Sequence, residues 1–277
     1  MADYTARRAA FRKLHESGCF VVPNPWDIGS ARYLETLGFK GLATTSAGFG
    51  FSRGLPDSVK ALTREMVLAH VAEIVRATEL PVNADFQAGY AATPEGVAES
   101  VRLCVETGVA GLSIEDATGE SSRPLYDISE AVDRLAAARA AIDASGADVL
   151  LTARAECFLV GHPDPLNESI KRLRAYSDAG ADVLFASGPR QRDQIRAIVD
   201  VAGPKPVNAI VTADYGFSVA DMEEMGVRRI SVGSALARTA WYGFIRAAKS
   251  IAEEGSFAGL EQASTFAELN ALFESHN

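Results

Sequence analysis

ETGVAGLSIED (Glu106–Asp116) carries the pattern that decides the fold. A glycine ends a helix-like stretch, a short apolar run follows, and carboxylates stand at its far end. The order returns in DASGADVLLTA (Asp143–Ala153) and SDAGADVLFAS (Ser177–Ser187). Such glycines suit a helix stop ahead of a strand. Working outward, eight strand-like segments emerge. They are CFVVPNP (Cys19–Pro25), GLATTS (Gly41–Ser46), PVNAD (Pro81–Asp85), GLSIED (Gly111–Asp116), DVLLTARAE (Asp148–Glu156), DVLFAS (Asp182–Ser187), PVNAIV (Pro206–Val211) and RRISVG (Arg228–Gly233). A strand buried on both faces should be apolar to its end. Asp85, Glu115, Arg154 and Glu156 break that rule at the strand tips, where a (β/α)₈ barrel places its chemistry. The expectation is therefore an α/β fold, a (β/α)₈ TIM barrel. A doubly wound sheet is the rival, but no GxGxxG follows the first strand.

The chain has 277 residues, 48% of them apolar, and the βα series runs without a linker, so one domain over 1–277 is expected. Cys19, Cys104 and Cys157 show neither pairing nor CxxC spacing. With no signal-like leader and no apolar run of about 18 residues, the expectation is a reduced, soluble, cytoplasmic protein without a membrane partner. A formal net charge of −9 disfavours nucleic acid, yet a local arginine or metal ion can still draw an anionic small molecule into one cleft.

Helices are expected at about Asp3–Ser17, Trp26–Leu37, Arg64–Thr78, Thr93–Gly108, Ile128–Ala144 and Leu166–Ala179, then through Val201 and around Val219–Met225. The first is extra to the repeat and suited to plug the barrel floor. C-terminal helices are expected at Ala235–Glu254 and Phe257–Phe273. Two connections, AGFGFSRGLPDSVKALT and ATGESSRPLYD, read as long loops, which in such folds are functional or mobile.

Asp85 and Glu115 end neighbouring strands, which stand about 4.8 Å apart. Two carboxylates at matching heights suit a hard cation, Mg²⁺ or Mn²⁺, with Gln87 as a further oxygen donor. Arg154 and Glu156 share a strand face; the guanidinium offers bidentate geometry for a carboxylate or phosphate, and Glu156 is placed to orient it or to hold a metal-bound water. A structural ion pair is the plain alternative. Thr45, Ser46 and the amides of Ala47 and Gly48 form a candidate anion cradle, and Asn208 is a candidate substrate contact.

PNPWDIGSARYLETLGFKGLATTSAG (23–48), GLPD (54–57), PVNADFQAGYA (81–91), GVAGLSIEDATG (108–119), LTARAE (151–156) and GVRRISVGSALAR (226–238) stand in an order that resembles the isocitrate lyase and phosphoenolpyruvate mutase superfamily, over roughly Phe20 to Ala248. The resemblance implies a magnesium-dependent enzyme acting on an α-oxo carboxylate or its enolate. It also implies a homo-oligomer, a dimer of dimers in which the last helix is exchanged. Carried over by motif, Thr45–Gly48 hold the substrate carboxylate and Asp57 sits on an active-site loop. Asp85 ligates the metal directly, Glu115 through water, Glu156 stands where an acid is frequent, and Arg154 contacts substrate. The chain departs from the family's DxD with Asp85-Phe86-Gln87, and its ATGESSRPLYD lacks both the KxCGH of the isocitrate-cleaving lyases and the lysine and asparagine of the phosphonate-forming members. Arg123 and Tyr126 are the stand-in catalytic candidates there.

Three functions are then open. A lyase or decarboxylase would break a carbon–carbon bond of a small 2-oxo or 2-hydroxy di- or tricarboxylate through an enolate. A mutase or hydrolase would act on the P–C bond of a phosphonopyruvate-like acid. A non-catalytic protein would keep only the oxo-acid pocket.

Overall fold

A computed structural model describes residues 4–58 and 60–274. The chain begins with α1 (Tyr4–Leu14), β1 (Phe20–Val22), α2 (Ile28–Thr36), β2 (Leu42–Ala43), α3 (Ser46–Ser52), α4 (Arg64–Ala77) and β3 (Val82–Asp85). It continues through α5 (Pro94–Glu106), β4 (Gly111–Glu115), β5 (Ala117–Glu120), β6 (Arg123–Leu125), α6 (Ile128–Ser145), β7 (Leu150–Ala155) and α7 (Pro165–Asp178). Then come β8 (Val183–Ala186), α8 (Arg192–Ala202), β9 (Val207–Ile210), α9 (Val219–Glu224), β10 (Arg229–Ser231), α10 (Ala235–Glu254), a 3₁₀ turn (Ala258–Leu260) and α11 (Phe266–Glu274).

Eight parallel strands follow the order β1-β10-β9-β8-β7-β4-β3-β2. The ends of that order meet, because the Ala43 amide donates to the Pro23 carbonyl at 3.1 Å and ties β2 to β1. The sheet is thus the expected (β/α)₈ barrel. The helices enter on cue: Thr93 accepts from the Gly96 amide with Pro94 at the first helical position, and Gly146, in left-handed conformation, closes α6. Among the described residues no helix is long and apolar enough to cross a membrane.

The barrel floor is closed by α1. Phe11, wholly buried, packs with Val22, Ala43, Ala110 and Leu150. Arg8 donates to the Val105 and Val109 carbonyls, and Arg12 pairs with Asp148. The plug is held by charge as well as by burial. Asp3, where this helix was expected to start, lies outside the described residues.

Three expectations are corrected. AGFGFSR is not loop but α3, capped by Thr45, whose Oγ1 accepts from the Gly48 amide at 3.1 Å. Gly48 serves packing rather than turning: a Cβ there would lie 2.6 Å from Thr45 Cγ2 and 3.2 Å from Ala237 Cβ. ATGESSRPLYD is not an open loop, since β5 and β6 pair as an antiparallel hairpin. The final helix is interrupted, and only Phe266–Glu274 is α-helical. On α10, Trp241, Tyr242, Phe244 and Ile245 remain exposed.

Candidate active site

The strand tips bring four charged side chains together. In register, Glu115 of β4 lies beside Arg154 of β7, and Asp85 of β3 beside Ser113. Arg154 Nη1 stands 3.1 Å from Glu115 Oε2 and 3.6 Å from Asp85 Oδ1, while Nε pairs with Glu156 Oε1. Nη2 donates to Ser187 Oγ at 3.3 Å, and the guanidinium lies 5.1 Å from the Phe185 ring centre. Ser46, the first residue of α3, donates its amide and its hydroxyl to Asp85 Oδ2, both at 2.8 Å. The other Asp85 oxygen therefore faces the guanidinium.

This crowd of acids around one cation shifts Glu115, Glu156 and Arg154. Burial pushes the Glu115 carboxyl well above its ordinary range; Arg154 opposes, and Glu156 and Asp85 reinforce. Glu156 is raised to about 7, first by burial, with Arg154 pulling the other way. Burial would lower Arg154, but Glu156, Glu115 and Asp85 outweigh it and hold the guanidinium charged. Asp57, on the loop after α3, is raised by burial and by Asp85. It thus belongs to the same electrostatic neighbourhood, although the residue as a whole keeps solvent-exposed surface.

The sequence matches the family described as phosphoenolpyruvate phosphomutase over residues 11–252. The chain belongs to the isocitrate lyase and phosphoenolpyruvate mutase superfamily. A crystal structure from Burkholderia cenocepacia J2315, itself only provisionally assigned as a lyase or mutase, shares 44% identity with a TM-score of 0.93, covering 98% of this chain and 97% of that one. An uncharacterized Mycobacterium tuberculosis protein is 32% identical over 88% of this chain and 89% of its own length. Oxaloacetate decarboxylase of Paraburkholderia xenovorans is 29% identical over 83% and 76%. Membership makes chemistry on small oxo acids, by enzymes that use a divalent metal, the shared background of this site.

The residues present fit such an ion in a particular way. Among the described residues no group of three or more His, Cys, Asp or Glu side chains is arranged to hold a metal. Magnesium, however, usually takes only one or two carboxylates and completes its shell with water and substrate. Asp85 Oδ1 and Glu115 meet that need, and Gln87 Oε1 is buried with no hydrogen-bond partner, an orphaned oxygen two residues past Asp85. Gln87 itself is held at φ +41°, left-handed for a non-glycine residue. Glu156 turns instead toward Arg154, so it orients the guanidinium.

Other expected residues are placed less directly. Of the cradle, the Ser46 amide is engaged by Asp85 and the Gly48 amide by Thr45; Thr45, Ala47 and Gly48 are buried. Asn208 lines the barrel interior but is bound to Ser231 and Arg229. Arg123 and Tyr126 are not brought to the site. Arg123 is exposed on the hairpin and paired with Asp127 and Glu130. Tyr126 lies under Arg134, 4.3 Å from ring centre to guanidinium.

Two supporting residues escaped the sequence reading. Asp116 faces away from Glu115, accepting from the Glu156 amide at 2.8 Å, Arg172 at 3.0 Å and the Tyr176 hydroxyl at 2.6 Å. The signal was present, since strand alternation sends adjacent carboxylates to opposite sides. Buried Arg134 donates to the carbonyls of Ala88, Ala91 and Ala92 at 2.6, 2.8 and 3.1 Å. It thereby clamps the turn that carries Gln87. Nothing in a helical AVDRLAAAR announces that task.

Proposed function

We propose that this protein is a magnesium- or manganese-dependent enzyme that breaks a carbon–carbon or P–C bond of a small 2-oxo or 2-hydroxy acid, leaving an enolate. The observation that carries the reading is the Asp85–Arg154–Glu115–Glu156 cluster on neighbouring strand tips. Asp85, Glu115 and Gln87 would hold the ion, which when bound supplies positive charge for the carboxylate and the developing oxyanion. Arg154 binds and orients the substrate carboxylate, with Glu156 fixing its Nε side and Ser187 its Nη2 side. Ser46 locks Asp85 in one rotamer. Asp57, whose carboxyl feels the charges of Asp85 and Arg154, is the loop acid assigned to the site.

Two substituents compete. Phosphorus, the P–C bond of a phosphonopyruvate-like acid, has the family match behind it. Carbon, as decarboxylation or aldol-type lysis, has the relatives named oxaloacetate decarboxylase and 2,3-dimethylmalate lyase, together with an Arg123 already paired with Asp127 and Glu130. Incubating the protein and magnesium with phosphonopyruvate, oxaloacetate, methylisocitrate and dimethylmalate, with products identified by ³¹P and ¹³C NMR, decides between them. Saturable binding of these acids with no product from any of them would leave only the binding-protein reading.

The same proposal includes a homo-oligomer, because the apolar side of α10 is left bare by this chain. It also includes a reducing, cytoplasmic setting, for which three free thiols speak.

A further inference from the structure

The interior of a closed eight-stranded barrel is normally filled by layers of valine, isoleucine and leucine. Here the space beneath the strand-tip cluster also carries amides, hydroxyls and a buried arginine. Asn24, Asn83, Asn208 and Ser231 share with Val22, Ala43, Phe185 and Ile210 the wall of a cavity of about 40 Å³ that reaches from Arg229 to Asp85 and Arg154. Arg229, the first residue of β10, is 3% exposed and is the one cation of the cavity wall besides Arg154.

Its partners are all neutral. Nε donates to Asn208 Oδ1 at 2.8 Å and Nη2 to Thr152 Oγ1 at 2.9 Å. Nη1 reaches Asn83 Oδ1 and His15 Nε2, both at a long 3.4 Å. His15 cannot supply a countercharge: its Nδ1 bonds to the Phe11 carbonyl and burial holds the ring neutral. Among the described residues no carboxylate lies within ion-pair distance of Arg229. Two other arginines differ: Arg172 has Asp116 and Glu168, and Arg154 has three acids.

An uncompensated buried charge is costly, and proteins pair such charges or bind a counterion. At about 40 Å³ the cavity exceeds the space that one water needs. The Ser231 hydroxyl adds a donor rather than an acceptor: its Oγ accepts from Asn208, so its own O–H is left to give. Burial lowers the guanidinium only to about 9, so it stays charged at neutral pH.

We propose that the barrel interior is a binding chamber for a small monovalent anion of carboxylate or halide size, anchored by Arg229 with Ser231 as a further donor. The chamber does not depend on which bond is broken above it. Its occupant is either a free anion or the far carboxylate of a ligand seated at the rim, and the chemistry is the same for both.

Crystals of the full chain soaked in sodium bromide, read by anomalous scattering, test the chamber directly. A bromide peak against the Arg229 guanidinium is expected; interior density accounted for by water alone overturns the proposal. In solution, sodium formate titrated at constant ionic strength against bulky sodium gluconate should raise the melting temperature of the natural protein. The half-saturating concentration should rise at least tenfold in Arg229→Met and less in Arg229→Lys, which also serves if the methionine variant fails to fold. An equal formate response in all three proteins overturns the proposal as well. Repeating the titration with magnesium and a four-carbon dicarboxylate separates the sources. Competition assigns the chamber to the far end of the rim ligand, and independence assigns it to a free anion; either result upholds the chamber itself.

Discussion

Arg154 and Arg229 occupy the same hydrogen-bonded row of one barrel and live in opposite electrostatic worlds. Stepping across register from β10 leads from Arg229 through Asn208 and Phe185 to Arg154 and Glu115. Because barrel strands are tilted and staggered, the row climbs as it turns. Arg229 opens its strand, whereas Arg154 is the penultimate residue of β7. At the upper end one cation meets three acids; at the lower end one cation meets none. The rim is built to hold a further positive charge and the interior a negative one. A small acid bound as its metal complex presents both.

Removing each cation should break this symmetry unequally. Arg154→Met strands three buried carboxylates, and deleting one partner of a buried ion pair costs about 3–5 kcal/mol. Denaturant unfolding should show that loss, and turnover of whichever acid proves to be the substrate should fall by at least about a hundredfold, in line with removal of one charged transition-state donor. Arg229→Met removes an unpaired charge and leaves only neutral partners short of a donor, so its stability cost should be smaller, about 1–3 kcal/mol. Equal costs for the two variants would refute the contrast.

The lower arginine also predicts a pH dependence. His15 is held near 3 by burial and by Arg229, below its ordinary 6.5. Between those values the unfolded chain binds more protons, so stability is complete above about pH 6.5 and declines as pH falls toward 3. From pH 6.5 to 4.5 the loss from this one group is about 2–3 kcal/mol. His15→Gln should flatten that segment of the stability curve. An unchanged slope would show that His15 does not face a fixed positive charge.

The smallest effect is expected on the hairpin. Arg123→Ala removes an exposed side chain that pairs only with Asp127 and Glu130. Turnover should stay within about twofold, and a larger loss would mean that the hairpin closes over the rim and brings Arg123 to the substrate.

What could be read from the chain follows the same division between rim and interior. The eight strands were legible because they are short apolar runs, most of them behind a helix-stopping glycine, and the rim acids because charge at a strand tip contradicts burial. α3 was hidden by its glycines, which read as loop; Gly48 is there so that Thr45 and Ala237 can approach. The hairpin was hidden because ATGESSRPLYD has turn composition throughout and its two strands are short. Arg229 was hidden by Arg228 beside it. In a three-residue strand only the register decides which of two adjacent arginines points inward, and the register comes from Phe20 and Asn208 on neighbouring strands.

The account stands or falls on the cation at the rim. Manganese binding followed by electron paramagnetic resonance, with and without a small oxo acid, measures it without any assumption about the reaction. One Mn²⁺ per chain is predicted, bound more tightly when the acid is present, with affinity reduced at least tenfold in Asp85→Asn. Binding that is indifferent to Asp85, or no binding to the natural protein, would contradict the reading of the strand tips as a metal-dependent oxo-acid site.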